Sequence, residues 1–397
     1  MIVLPDTKTF DSSIHLAQLV GGVTKANMLK VCDKLDLYVS PNLKKDETKN
    51  DNESPELPKD KTLYACGVVY ADGHPSDLVL FKDGLRQFSI KCTDENHISP
   101  DADSHFLLDG ILFTSFNTNG KTFISKNGEP LYEFDAEEYL KDMLLVDQTL
   151  WSLSIPLNEN GFKIRKDGEV VFSKQDGSPK SLYLDGSDVC LEYSTLWNMN
   201  KKIYLVKNTI ETPVTPPHSA TLLDARIHEG KIWYLEYNNS FYILSTNGVY
   251  RQWMKTYGFE MLDTDILPLE NSDCAAVIHQ KSNFSPMTVD QICIKDSTFL
   301  SGNGTASYYY TLQAPARKVT LTKDRDKLYI NGSDGNKYFE ENVFFPNRRC
   351  GAQEDGKLYL CLSQKDRKGY PFIWCEGKKM PYKFQGELTG ICITAPN

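Results

Sequence analysis

Helical periodicity is scarce in this 397-residue chain: from about residue 62 onward, almost no stretch carries an apolar 3.6-residue period for three turns. That region therefore reads as nearly all strand. Long apolar runs are missing too, with no 18 consecutive apolar residues anywhere, so no membrane-spanning helix is expected. The start, MIVLPDTKTFDSS, lacks the basic and apolar regions of a secretory signal, and a reducing, cytoplasmic setting is the expectation. The Asn-x-Ser/Thr sites at Asn238, Asn283, Asn303 and Asn331 acquire meaning only if the protein is secreted. Excess positive charge is also lacking. Against 53 Asp and Glu stand 44 Lys and Arg, a net charge of −9, which is a poor footprint for a protein whose main partner is a nucleic acid or an anionic membrane.

The signatures of chemistry are equally sparse. Ten cysteines are scattered, mostly inside apolar runs such as KLYLCLS and FIWCEG, with no CxxC pair, and they read as small core residues. Seven histidines show neither H-x-H nor H-E-x-x-H spacing, which argues against a zinc site. In DADSH, Asp101 to His105, alternate carboxylates face one way, but the glycine and distal glutamate of a calcium loop are absent. NGSDGNKYFEE from Asn331 is calcium-like in composition and does not fit the loop register. The glycine-rich LSGNGTAS from Leu300 lacks the lysine of a phosphate loop, and no G-x-S-x-G occurs. No catalytic, cofactor-binding or metal-ligating residue is therefore assigned. Carboxylate pairs that converge from different parts of a fold stay invisible to spacing arguments.

What is present is repetition. FISKNGEPLYEF, from Phe123, recurs in kind as LVLFKDGLRQFSI, FKIRKDGEVVFSK, FYILSTNGVYRQW and FIWCEGKKMPYKF, each turning at a glycine (Gly84, Gly128, Gly168, Gly248, Gly377). In four of the five an Asn or Asp precedes it, a pair that tolerates the positive φ of a tight hairpin turn. A second series of apolar strands runs in phase with these hairpins: LYACGVVY from Leu63, ILFTSF from Ile111, LWSLSI from Leu150, VCLEYS from Val189, IWYLEY from Ile232, CAAVIH from Cys274, LYING from Leu328 and LYLCLS from Leu358. After a first interval of 48, their starts are separated by 39, 39, 43, 42, 54 and 30 residues. The mean, about 42, is the span of one four-stranded propeller blade.

Residues 62 to 397 thus resemble the WD-repeat-like and quinoprotein-like β-propellers in period and pattern. Neither the Gly-His…Trp-Asp signature, the kelch double glycine nor the Asp-box is present to select one family. The fold class implied is all-β, a propeller of seven or eight blades. The final apolar run, GELTGICITAPN, has no partner of its own and is expected to supply the missing strand of the blade at Leu63. Residues 1–47 read as a small helical extension and 48–61 as a polar linker. Within the extension, Met28 to Glu47 resembles the helix–loop–helix of SAP and Rho-N-terminal-like modules, which implies nucleic-acid contact through Lys44 and Lys45. The second helix of such modules is replaced here by TKNDNESPELPKDK, and six Lys against four acids between Lys25 and Lys49 give little charge for phosphate binding.

In a propeller the loops from second to third strand, and those between blades, gather at one end of the ring. Binding residues are expected there: Trp197 and Met199 in STLWNMN, Asn238 and Asn239 in YNNS, Arg367 and Tyr370 in SQKDRKGY. Trp, Arg and Tyr are the types that dominate protein interfaces. The expected function is a non-catalytic scaffold that recognises a protein or peptide on this loop face, with no cofactor. The alternatives are a carbohydrate-binding or carbohydrate-active propeller using the channel mouth, for which a glycan is the partner, and nucleic-acid tethering by the N-terminal segment.

Overall fold

The computed structural model describes residues 60–395 apart from the short stretches 198–199, 239–240, 248, 256–259, 269–273, 282–287, 295–296, 303–306, 313–316, 325–326, 332–336 and 345–347. Nearly all of the expected extension and linker, with Lys44 and Lys45, lies outside the described residues. Among those described, the chain forms eight antiparallel sheets that follow one another in sequence, each built from four strand positions. It is an eight-bladed β-propeller, with no helix longer than the 3₁₀ turns Ala102–Ser104 and Arg348–Cys350 among the described residues.

Each blade runs from an inner strand to an outer one. The inner strands touch across successive blades: His105–Leu108 of blade 2 meets Glu138–Val146 of blade 3, which meets Ser178–Asp185 of blade 4, and Thr221–His228 of blade 5 meets Glu260–Pro268 of blade 6. Blade 1 borrows its inner strand from the far end of the chain. Gly386–Thr394 pairs antiparallel with Thr62–Ala71, and it also touches the inner strands of blades 2 and 8. In blade 8 the inner position is split into Val343–Phe344 and Gly351–Glu354, both paired with Lys357–Gln364, with the second 3₁₀ turn between them.

The uneven sequence spacing in blades 7 and 8 has a simple origin. LYING is the third strand of blade 7, Lys327–Asn331, whereas its second strand is Arg317–Asp324. In RKVTLTKD only Val319 and Leu321 are large and apolar, which made the third strand the more conspicuous of the two. With the correct strand, second strands start at Cys274, Arg317 and Lys357, steps of 43 and 40 residues.

The core lies in seams between adjacent blades, because each sheet buries both faces. Alternate residues of Thr62–Ala71 go opposite ways: Leu63 and Ala65 pack with Leu360, Trp374 and Leu388 in the seam with blade 8, while Tyr64, Cys66 and Val68 pack with Leu107 and Leu112 of blade 2. Two-sided burial is why the strands read as nearly continuous apolar runs. Blades 2 to 6 repeat the arrangement, each seam mixing residues of two neighbours.

The Asn-Gly and Asp-Gly corners do more than permit a turn. Asp83, Asn127 and Asp167 have positive φ, as do the glycines that follow them, so both central residues are left-handed in these two-residue turns. Each side chain also accepts the backbone N–H that opens the second strand: Asp83 from Leu63, Asn127 from Leu112 and Asp167 from Leu150, all at 2.9 Å. The corner N–H of each returns a bond to the same residue's carbonyl at 2.7–2.8 Å. Asn208 clamps Val189 in the same manner. A clamp of this kind needs a short side-chain acceptor on a left-handed residue, which only Asn and Asp supply readily. At Gly168 a Cβ would also sit 2.7 Å from the Tyr132 ring of the preceding blade.

Outer strands are exposed edges. Those of blades 1, 2, 3 and 5 carry a bulge, at Gln87, Leu131, Val171 and Arg251, where the register skips a residue. Bulges twist an edge away from pairing with another chain.

Closure concentrates buried polar contacts on Leu388–Gly390. Cys350 and Cys361 donate to the carbonyls of Leu388 and Gly390 at 3.7 Å, and Cys66 lies 3.5 Å from the Thr389 hydroxyl. Burial pushes the Cys66 thiol up to about 11, which leaves it unreactive while the ring is shut. His105, the member of the DADSH stretch nearest chemistry in type, is buried here. Its Nε2–H donates to the Ser99 carbonyl at 2.8 Å and its Nδ1 accepts from Thr389 at 3.0 Å. Asp101 caps the 3₁₀ turn by accepting the Asp103 N–H. Among the described residues no group of three His, Cys, Asp or Glu is arranged to hold a metal.

Replacing the fully buried Leu388 by Ala should cost about 2–5 kcal/mol in urea unfolding; a loss below about 1 kcal/mol would mean that the closing strand carries little of the stability. His105 gives a pH test. Burial lowers its pKa from 6.5 to about 4, so between those values the unfolded chain binds a proton that the folded one refuses. Stability should fall by roughly 3 kcal/mol as pH drops through this window, and His105→Gln should flatten the slope; an unchanged slope in the variant would assign the acid sensitivity to other groups.

Candidate functional site

The inner strands of blades 3 to 6 carry bulges at corresponding places, between Leu140 and Asp142, Pro179 and Leu182, Leu222 and Asp224, and Met261 and Asp263. In three of them an aspartate follows the bulge directly. A bulge re-aims side chains, and here it gathers charged ones around a central cavity of about 550 Å³. Arg349 of blade 8 borders the same cavity, so the space lies within the ring. Arg349 also lies 4.0 Å from the Phe106 ring and donates to the Asp103 carbonyl at 3.0 Å.

Most of these charges serve the ring. Asp142 accepts the N–H of Met143 with one oxygen and that of Leu182, in blade 4, with the other, each at 2.9 Å. Asp263 accepts its neighbour Thr264 N–H at 2.8 Å. Lys180 of blade 4 donates to Asp224 of blade 5 and to the Thr264 carbonyl of blade 6 at 3.0 Å, so one ammonium ties three blades together. It also lies 3.4 Å from Glu192. Glu192 and Asp224 are both buried and within hydrogen-bond reach of each other. Burial and the Asp224 charge hold the Glu192 carboxyl well above the usual carboxylate range. Burial acts on Asp224 in the same sense, but Lys180 and the bond from Glu192 outweigh it and keep Asp224 ionised. Two like groups with pKa values driven apart are a recurring acid–base arrangement. Here the proton they share lies inside a closed triad with Lys180.

Beside the triad lies Arg226, its guanidinium 4.0 Å from the Tyr183 ring. The Tyr183 hydroxyl accepts the Ile227 N–H at 3.0 Å, which fixes the ring. The buried Nε of Arg226 and Oε1 of Glu192 have no hydrogen-bond partner among the described residues.

The residues singled out from sequence lie elsewhere. Arg367 sits in the loop between the second and third strands of blade 8 with positive φ, its Nε 3.3 Å from Glu387 and its guanidinium 5.0 Å from the Tyr70 ring. The Tyr70 hydroxyl donates to the other oxygen of Glu387 at 3.3 Å. Tyr370, three residues on, is 55% exposed. Asn238 is exposed and closes its own loop, its Oδ1 accepting the Phe241 N–H at 3.0 Å. Trp197 ends the second strand of blade 4 with its backbone paired to Asn200; its side chain, like Met199 and Asn239, lies outside what is described. Arg367 and Tyr370 thus share one loop, and the structure brings neither to the channel group. That group was missed because its members come from separate blades. A signal existed in Leu140-Lys141-Asp142, Leu222-Leu223-Asp224 and Met261-Leu262-Asp263, an aspartate two residues after Leu or Met near the start of each inner strand.

No family model matches the chain, and no curated protein matches it. Among solved structures it is similar to Hsv2p of Kluyveromyces lactis, at 11% identity over 70% of this chain and 94% of that one, with a TM-score of 0.41. It is also similar to the β-propeller domain of the trilobed protease from Pyrococcus furiosus, at 10% identity over 72% and 93%, TM-score 0.38. A third likeness is to the polysaccharide lyase Uly1, at 10% identity over 87% and 100%, TM-score 0.40. The likeness is one of fold alone.

Lys180→Met should destabilise by about 3–5 kcal/mol, since it leaves buried carboxyls without their cation. The variant should regain stability on acidification, because the folded state would then hold a proton on Asp224 that the unfolded state releases. A denaturation series against pH reads both effects, and a variant as stable as the parent at neutral pH would show that the triad is not a tie between blades.

Proposed function

We propose that this propeller is a non-catalytic binding protein that recognises a protein or peptide at the end of the ring where second-to-third strand loops and inter-blade connections meet. The observation that carries this reading is Tyr370, 55% exposed, beside an Arg367 already held by Glu387 and Tyr70. An aromatic and an arginine on one loop, the arginine braced before any partner arrives, make an anchor with little ordering left to do on binding. Support also comes from the channel, where Asp142 and Asp263 accept backbone N–H groups and Asp224 is held by Lys180.

A carbohydrate-active channel is the competing reading, since Glu192 and Asp224 have the divergent proton affinities of an acid–base pair. Glycoside hydrolysis, however, places its two carboxyl groups about 5–9 Å apart to admit the sugar and a water. These two are within hydrogen-bond reach, with no room between them for a sugar ring.

Affinity capture from native lysate should yield a stoichiometric protein partner with the parent chain, and the Arg367→Ala, Tyr370→Ala double variant should lose it with its melting temperature unchanged. Retention of the partner by the folded double variant would move the interface off this loop. Loss on replacing Lys44 and Lys45 instead, with steep salt dependence, would favour nucleic-acid tethering.

A further inference from the structure

The channel cavity holds polar groups that the ring does not use. Arg226 donates no hydrogen bond from its buried Nε, and among the described residues no ion pair holds its guanidinium. Tyr183 supports it from one side at 4.0 Å. Asp224, two residues earlier on the same strand, is taken by Lys180. Glu192, nine-tenths buried, presents Oε1 with no hydrogen-bond partner, 3.4 Å from the Lys180 ammonium. Both residues line the same space of about 550 Å³, within the size range of small-ligand pockets. A buried Nε–H left without an acceptor is costly, and the planar guanidinium fork fits a carboxylate with two parallel bonds.

We propose that this cavity binds a small hydroxylated monocarboxylate, with the carboxylate on Arg226 and a ligand hydroxyl on Glu192. The remaining lining sets the selectivity. Asp263 and Asp265 on the blade 6 inner strand border the cavity and place negative charge there. Lys141 and Arg349 border it as well, so the wall carries both signs and suits a ligand with hydroxyl groups beside its carboxylate. Ser181, on the bulge of blade 4, adds a hydroxyl to the same wall. The site stands apart from the Arg367 and Tyr370 loop, so either can exist without the other.

Isothermal titration of the full chain with D-gluconate, D-glucuronate and L-lactate, set beside the neutral D-glucose and glycerol, tests the assignment. At least one monocarboxylate should bind, and the neutral molecules should give no heat. Arg226→Met should weaken the binding at least about tenfold, the value of one charged hydrogen-bonding partner, with Arg226→Lys between it and the parent. Tyr370→Ala should bind as the parent does, which separates this site from the proposed protein interface. Three results would overturn the proposal: no heat from any monocarboxylate at about 10 mM, equal binding of glucose and gluconate, or parental affinity in a folded Arg226→Met. If Arg226→Met does not fold, the comparison of acids with their neutral counterparts on the parent chain, together with Arg226→Lys, decides the question.

Discussion

The pairing of Gly386–Thr394 with Thr62–Ala71 is the contact on which the ring depends, because it joins strands more than 300 residues apart and shuts the circle of blades between them. Without it the two faces at the junction would be open: Leu63 and Ala65 on one side, and Trp374, Leu360 and Leu388 on the other. The cost of bringing such distant segments together grows only slowly with their separation, so burial in this one seam can offset it. The polar groups placed there are consistent with that role. Three thiols meet the residues Leu388–Gly390, one of them at the Thr389 hydroxyl, in a space small enough that Gly67 tolerates no side chain, its missing Cβ lying 2.4 Å from the Glu387 carbonyl.

A closed ring of two-faced sheets leaves its inner strands as the walls of a channel, and these strands are where this protein departs from regular pleating. Bulges at equivalent points in blades 3 to 6 aim acids and bases inward, and the charges then meet across blade boundaries. Lys180 reaching two neighbours and Asp142 reaching Leu182 make the channel wall continuous where hydrogen-bonded pairing between sheets does not exist. Buried charge is weak evidence of stability in itself, because desolvation offsets much of the attraction, but it does fix which blade sits against which. Arg226 stands out against that background, braced by the Tyr183 ring of blade 4 but with no hydrogen-bond partner for its buried Nε among the described residues.

The clamp at the hairpin corners shows the same economy at a smaller scale. A left-handed Asp or Asn both reverses the chain and accepts the first N–H of the second strand, so one residue fixes the register of three strands. Its recurrence at Asp83, Asn127, Asp167 and Asn208 explains why these corners kept time along the chain while the strands themselves varied in length.

The local pattern of this protein was legible because it is local. Alternating or continuous apolar runs, Asn-Gly and Asp-Gly corners and a period near 42 residues follow from strand geometry and turn sterics over a few neighbours, and they specify an all-β propeller without any knowledge of contacts. The limits of that reading lie where contacts decide. Blade 7 was misphased because Arg317–Asp324 is poor in apolar residues and owes its place to flanking strands. The DADSH stretch showed only carboxylates without the rest of a calcium loop, and its His105 is a buried bond between blades 1 and 2. The triad of Lys180, Glu192 and Asp224, and Arg226 beside it, come together only through the curvature of the ring, which sets residues of blades 4, 5 and 6 on one cavity. Sequence determined the unit and its repetition, since those depend on neighbours along the chain; tertiary structure alone decided which charges meet, since electrostatic partnership depends on distance in space.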